Sequence, residues 1–137
     1  MNGIFVDTGA WYALVDSDDA DHTAAAAFLA ANTIPLITTN FVFSETITLI
    51  RYRIGHEAAR SFGQKLKESS FARMVSVTAA DEERAWEIFC KYRDQDFSFV
   101  DCTSFAVIER MKLSTAFAFD RHFSVMKFAV VPGKEVT

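Results

Sequence analysis

Short apolar runs set between helix-like stretches constrain this chain more than any other feature. Ile4-Phe5-Val6, Ile34 to Thr38, Met74 to Val77, Ala116 to Phe119 and Phe128 to Val131 lack the regular polar alternation of a half-exposed strand. Strands of that kind belong to a parallel sheet buried under helices on both faces. The intervening segments read as helices over Thr8 to Val15, His22 to Ala31, Phe41 to Arg53, a second amphipathic helix to Glu68 after a break at Gly55, then through Tyr92 after a cap at Thr78, and Ser98 to Met111. The expected fold is α/β, a three-layer α/β/α sandwich with a central, mostly parallel sheet. At 137 residues the chain is expected to form a single domain over 1–137. The 14 Phe, 3 Tyr and 2 Trp supply rings for its core, and only 5 Gly and 2 Pro argue against a turn-rich all-β sandwich.

Several classes are excluded. No apolar run reaches the roughly 18 residues of a membrane span, and Asp7 interrupts any signal-peptide core. Cys90 and Cys102 form neither a disulfide framework nor a zinc spacing. The expectation is a soluble, reduced, cytoplasmic protein with no membrane partner. A net charge of −4 argues against indiscriminate nucleic-acid binding. The charge is uneven, however. Arg51 to Arg73 holds six bases (Arg51, Arg53, Arg60, Lys65, Lys67, Arg73) against Glu57 and Glu68, a local +4 that leaves −8 on the rest. Such a stretch is either a solvated helix or a face that attracts an anion.

Four carboxylates stand in positions that call for an explanation. Asp7 closes the first apolar run and Asp120 the fourth, so both emerge at the carboxyl edge of a parallel sheet, where sites gather. An Asp there can equally cap the next helix. Glu45 has Phe41, Val42 and Leu49 at i−4, i−3 and i+4, an apolar stripe with no Lys or Arg one turn away. The alternative is a Glu at a helix edge that reaches water. Asp101 ends Ser98-Phe99-Val100-Asp101, a capping-box spacing that Thr78-Ala79-Ala80-Asp81 repeats. It either caps its helix or, with Phe99 and Val100 burying the first turn, offers a carboxylate to a cation.

Brought together, three Asp and one Glu repel unless protons are shared or a divalent metal intervenes. Oxygen donors without Cys or clustered His select Mg2+ or Mn2+ over Zn2+. A metal held this way acidifies water and steadies a phosphodiester, which is the chemistry of a nuclease.

Asp7-Thr8 after the first strand, Glu45 within a helix, Ser98-Phe99-Val100-Asp101-Cys102 opening a later helix and Phe119-Asp120-Arg121-His122-Phe123 near the end resemble the PIN domain. The resemblance spans almost the whole chain and is narrower still to the VapC-type toxins of bacterial and archaeal toxin–antitoxin pairs. It implies an Mg2+- or Mn2+-dependent endoribonuclease that cleaves RNA, forms a homodimer and is held inactive by a cognate antitoxin. Its acidic positions fall on Asp7, Glu45, Asp101 and Asp120, and its small hydroxyls on Thr8 and Ser98, which would orient the carboxylates. On that set, Asp7 and Asp101 are expected to bind the metal directly, and Glu45 and Asp120 through water or at a second ion. Asp96, near the motif, is an outer acid or plain surface. His122, in an expected turn after Asp120, is assigned to packing or capping. Arg51, Arg53, Arg60, Lys65 and Lys67 are candidates for holding RNA phosphates.

Two other readings stand beside this one. A haloacid-dehalogenase-like phosphohydrolase also places an Asp after its first strand, but wants a second Asp where this chain has Gly9. A PIN-like module that binds RNA or protein without cutting would carry the same residues.

Overall fold

The computed structural model describes residues 2–68, 70 and 72–133. In chain order its first half comprises β1 (Ile4–Val6), α1 (Thr8–Val15), α2 (His22–Ala31), β2 (Leu36–Thr39), α3 (Asn40–Arg53) and α4 (His56–Glu68). The second half comprises β3 (Ala72–Val75), α5 (Ala79–Lys91), α6 (Phe99–Met111), β4 (Thr115–Phe117), α7 (His122–Val125) and β5 (Ala129–Val131). The strands form one sheet in the order β3-β2-β1-β4-β5, and every pairing is parallel. The sheet expected to be mostly parallel is therefore parallel throughout.

β1 lies in the middle, with Phe5 beside Ile37 of β2 on one side and Ala116 of β4 on the other. All three of its residues are buried, so both faces of the sheet are covered. Around it α1 packs on α2 and α3, α3 on α4 and α6, and α5 on α6. Gly63 permits the close approach of α4 to α3: a Cβ there would meet Ile47 Cδ1 at 3.0 Å. Trp11, Phe5, Phe105, Phe117 and Phe123 are fully buried. The Trp11 indole N–H donates to Thr38 Oγ1, and the Thr38 hydroxyl is within bonding distance of the Val6 carbonyl. Not every ring goes inside, since Tyr52, Trp86 and Phe89 remain exposed.

Some boundaries differ from the sequence reading. β3 runs from Ala72 rather than Met74, because its ladder pairs Ala72 with Leu36 and Val75 with Thr39. It is an edge strand with Arg73 and Met74 exposed, so its apolar run is a poor guide to its ends. β4 stops at Phe117 rather than Phe119, where its partner β1 ends and the chain turns into α1. The segment after Asp120, expected as a turn, contains α7. Among the described residues, no helix is long and apolar enough to cross a membrane.

From β1 the chain builds outward through β2 and β3, then returns by way of α5 and α6 to place β4 on the other flank of β1. That reversal opens a crevice at the carboxyl ends of β1 and β4. The Asp7 N–H donates to the Phe117 carbonyl at 3.1 Å and ties the two strand ends together at its floor.

Candidate active site

Asp7 sits at this crevice, 4% exposed. It is the N-cap residue of α1 by backbone conformation, but its side chain makes no capping bond. Burial drives its pKa well above the ordinary carboxylate range. The charges of Asp120, Asp101 and Glu45 push it further, and the Thr8 N–H offsets only part of this.

Asp101 enters from the first turn of α6. Its N–H donates to Ser98 Oγ and the Ser98 N–H donates to its Oδ2, both at 3.0 Å, so the capping box is real. The same carboxylate is 7% exposed and faces the crevice acids. Burial raises its pKa, with Asp120 adding to the rise against the pull of the Ser98 N–H and His122. Capping and exposure to a charged cluster, alternatives in the sequence, coexist here.

Glu45 is half-buried on α3 and lines a groove of about 800 Å³ with Thr8, Phe41, Leu49 and Val100. Its pKa is raised by burial, lowered by the Thr8 hydroxyl, and raised again by Asp101 and Asp120. Thr8 Oγ1 is shielded from solvent and makes no hydrogen bond of normal geometry, so its hold on Glu45 is loose. Asp120 is the most exposed of the four; its Oδ1 accepts the His122 N–H at 2.9 Å, a local turn bond at the start of α7.

His122 joins them. Its ring packs edge-on to Phe97 at 5.4 Å, in keeping with a packing role, yet both nitrogens face acids. Nε2 lies 3.1 Å from Asp96 Oδ1, and Nδ1 lies 2.9 Å from Asp101 Oδ2 and 3.8 Å from Asp120 Oδ1. Asp101, Asp120 and His122 present ligand atoms within 4.8 Å of one another. Sequence reasoning missed this placement. The signal was the Asp-x-His spacing after a strand end, but side-chain direction in an undefined turn cannot be read from spacing.

Among the described residues, no Lys or Arg forms an ion pair with Asp7, Glu45, Asp101 or Asp120. Arg121 turns instead to Asp96 at 3.5 Å. Buried carboxylates that raise one another's pKa, with no guanidinium or ammonium between them, fit a hard divalent cation.

The basic stretch is divided by the fold. Arg53 lines the groove beside Glu45, with its guanidinium 5.1 Å from the Tyr12 ring. Arg51, Arg60 and Lys67 line a neighbouring groove between α3 and α4, where Arg60 also pairs with Glu57. Lys65 is exposed and lines neither groove.

Residues 4–129 match the PIN domain family. The chain is 41% identical over 128 residues to the 23S rRNA-specific endonuclease VapC20 of Mycobacterium tuberculosis, covering 93% of this chain and 97% of that protein. It is 26% identical over 136 residues to ribonuclease VapC26 of the same organism, covering 94% and 100%. The crystal structure of M. tuberculosis VapC20, a sarcin–ricin loop cleaving toxin, matches with a TM-score of 0.88 at 40% identity, over 92% of this chain and 96% of that one. A toxin–antitoxin complex from Klebsiella pneumoniae shares the fold, with a TM-score of 0.68 at 14% identity over 97% and 99% of the two chains.

Proposed function

The chain belongs to the PIN domain family, and from that premise we propose that it is a metal-dependent endoribonuclease, the toxin of a toxin–antitoxin pair, formed by a single unit over 1–137. One observation carries the reading: Asp7, Glu45, Asp101 and Asp120, far apart in the chain, come near enough that each of the buried acids feels the charge of others. Asp7 and Asp101, the most buried, would hold the ion, Mg2+ or Mn2+, with Glu45 and Asp120 completing its surroundings. A divalent ion held there would supply charge for the phosphodiester oxygens and would acidify an attacking water. Ser98 fixes the Asp101 carboxylate through the capping box, and Thr8 orients Glu45. Arg53, beside Glu45, takes a phosphate next to the cleaved one, with Arg51, Arg60 and Lys67 further along and Lys65 adding to the field.

The identity to VapC20 over nearly the full length of both chains supports ribosomal RNA of the large subunit as substrate. A cognate antitoxin as partner, a homodimer as the working form and a cytoplasmic site of action belong to the same reading. The PIN match over residues 4–129 and the Gly at position 9 speak against a haloacid-dehalogenase-like phosphohydrolase. The test is incubation of the purified protein with 23S rRNA and with a mixed RNA pool, in Mg2+ and in excess EDTA. Discrete cleavage in Mg2+, none in EDTA and none by Asp7→Asn is the expected result. Cleavage that survives chelation overturns the metal mechanism, and tight RNA binding without cleavage establishes the non-catalytic module instead.

A further inference from the structure

We propose that His122 is a direct ligand of the divalent cation through Nδ1, and that Asp96 is the positioning residue that aims it through Nε2. The inference rests on the metal-dependent reading above and adds a nitrogen donor to an otherwise all-oxygen set.

The argument begins outside the crevice. Asp96 Oδ1 lies 3.1 Å from Nε2, and an Nε2–H that donates to this carboxylate leaves Nδ1 as the nitrogen able to face a cation. That nitrogen is shielded from solvent and has no hydrogen bond. Asp101 Oδ2 is only 2.9 Å away, yet the pair makes no hydrogen bond of normal geometry. Asp120 Oδ1 stands at 3.8 Å. With Asp101 and Asp120, His122 offers ligand atoms that all lie within 4.8 Å of one another, a span that one cation can bridge. The 2.9 Å between Nδ1 and Asp101 Oδ2 is also close to the separation of neighbouring ligands on an octahedral ion. With bonds of about 2.1 Å, that separation is about 3.0 Å.

The arrangement carboxylate, imidazole, metal is the usual way a histidine ligand is oriented. The ring is not free to swing. Phe97 packs against it edge-on at 5.4 Å, and the His122 N–H is held by Asp120 Oδ1 at 2.9 Å. The Asp96–Arg121 contact at 3.5 Å steadies the far end of the relay. A nitrogen donor moves the preference of the site toward Mn2+ relative to Mg2+.

The test is Mn2+ alone, titrated into the metal-free full chain and followed by pulsed EPR, with nuclease activity left out of the readout. The wild type should show coupling from a directly bound nitrogen that changes on 15N-histidine labelling. The coupling should be absent in His122→Ala but persist in His22→Ala and His56→Ala. Mn2+ affinity should fall about 10–100-fold in His122→Ala and about 10-fold in Asp96→Asn. Stoichiometric Mn2+ binding that needs Asp7 but shows no nitrogen coupling overturns the assignment, makes His122 a counter-ion of Asp101, and leaves the nuclease reading intact. Failure of the wild type to bind Mn2+ overturns both. The decisive spectrum is that of the wild type, so the outcome does not depend on whether His122→Ala folds.

Discussion

Two helices of this protein begin with the same device and put it to opposite use. At the start of α5, Thr78 and Asp81 form a capping box, and at the start of α6 Ser98 and Asp101 form another, with matching bond lengths near 3.0 Å. Both Asp residues are buried. Asp81 meets Arg110, whose guanidinium donates to both carboxylate oxygens at 2.9 and 3.0 Å. Burial pushes the Asp81 pKa up, but Arg110 and the Thr78 backbone outweigh it and hold it below the ordinary value. Among the described residues Asp101 meets no guanidinium: burial raises its pKa and Asp120 adds to the rise, against the pull of the Ser98 N–H and His122. A capping box therefore says where a helix starts; the charge of the neighbouring element says whether the acid is a strut or a ligand.

The largest break in this contrast is made by Asp101→Asn. Asn keeps an oxygen for the Ser98 N–H, so the helix start survives while the charge is lost. RNA cleavage is expected to fall by more than the roughly 10–100-fold typical of groups outside the ligand set. Metal-free thermal stability should hold or rise. Cleavage near the wild-type rate in a gel assay would make the two boxes equivalent.

Metal linkage comes next. Mg2+ at about 100 times its Kd should raise the unfolding free energy of the wild type by about 2.7 kcal/mol. Asp81→Asn should show the same gain and Asp101→Asn little of it, as read by urea unfolding.

Asp81→Asn is the mirror experiment. It leaves Arg110 with a neutral partner, and because that guanidinium is partly exposed the loss should be about 1–2 kcal/mol of stability, with cleavage unchanged. A cleavage defect without a stability defect contradicts the strut assignment.

The pH dependence sharpens the comparison with a smaller signal. Asp7, Asp101 and Glu45 have folded pKa values above their unfolded ones, so the native state holds their protons more tightly. Stability of the metal-free protein should fall as pH rises from the ordinary carboxyl range through those raised values. Asp81 has a lowered folded pKa. Its contribution is present above the unfolded value and is lost as pH falls through the folded one. Asp101→Asn should flatten the upper limb of a stability–pH curve, and Asp81→Asn the lower limb. The smallest effect concerns the groove: Arg53→Gln should lower the slope of RNA affinity against salt by about 1.

Much of this arrangement was legible in the residues. Ile4-Phe5-Val6 ending in Asp7 marks a strand end, and the apolar run before Asp120 marks a strand though not its last residue, because period and composition are local properties. Glu45 stands out for the same reason, since helical spacing alone puts it among Phe41 and Leu49. Less visible were the start of β3, fixed by pairing with Leu36 to Thr39 rather than by its own apolarity, and α7, four residues too short to announce a period. The single basic stretch hid a division, because α3 and α4 turn Arg53 toward one groove and Arg51, Arg60 and Lys67 toward another.

What the sequence alone determined is therefore the local grammar: that short buried strands alternate with helices, where Ser98 and Thr78 open two of those helices, and that Glu45 has no cation one turn away along its stripe. What the tertiary structure decided is which charge each acid meets. Arg110 reaches Asp81 across 29 residues and His122 reaches Asp96 across 26, and these encounters depend on how α5, α6 and α7 pack. Electrostatic energy depends on distance in space and on burial, and neither is a property of sequence separation.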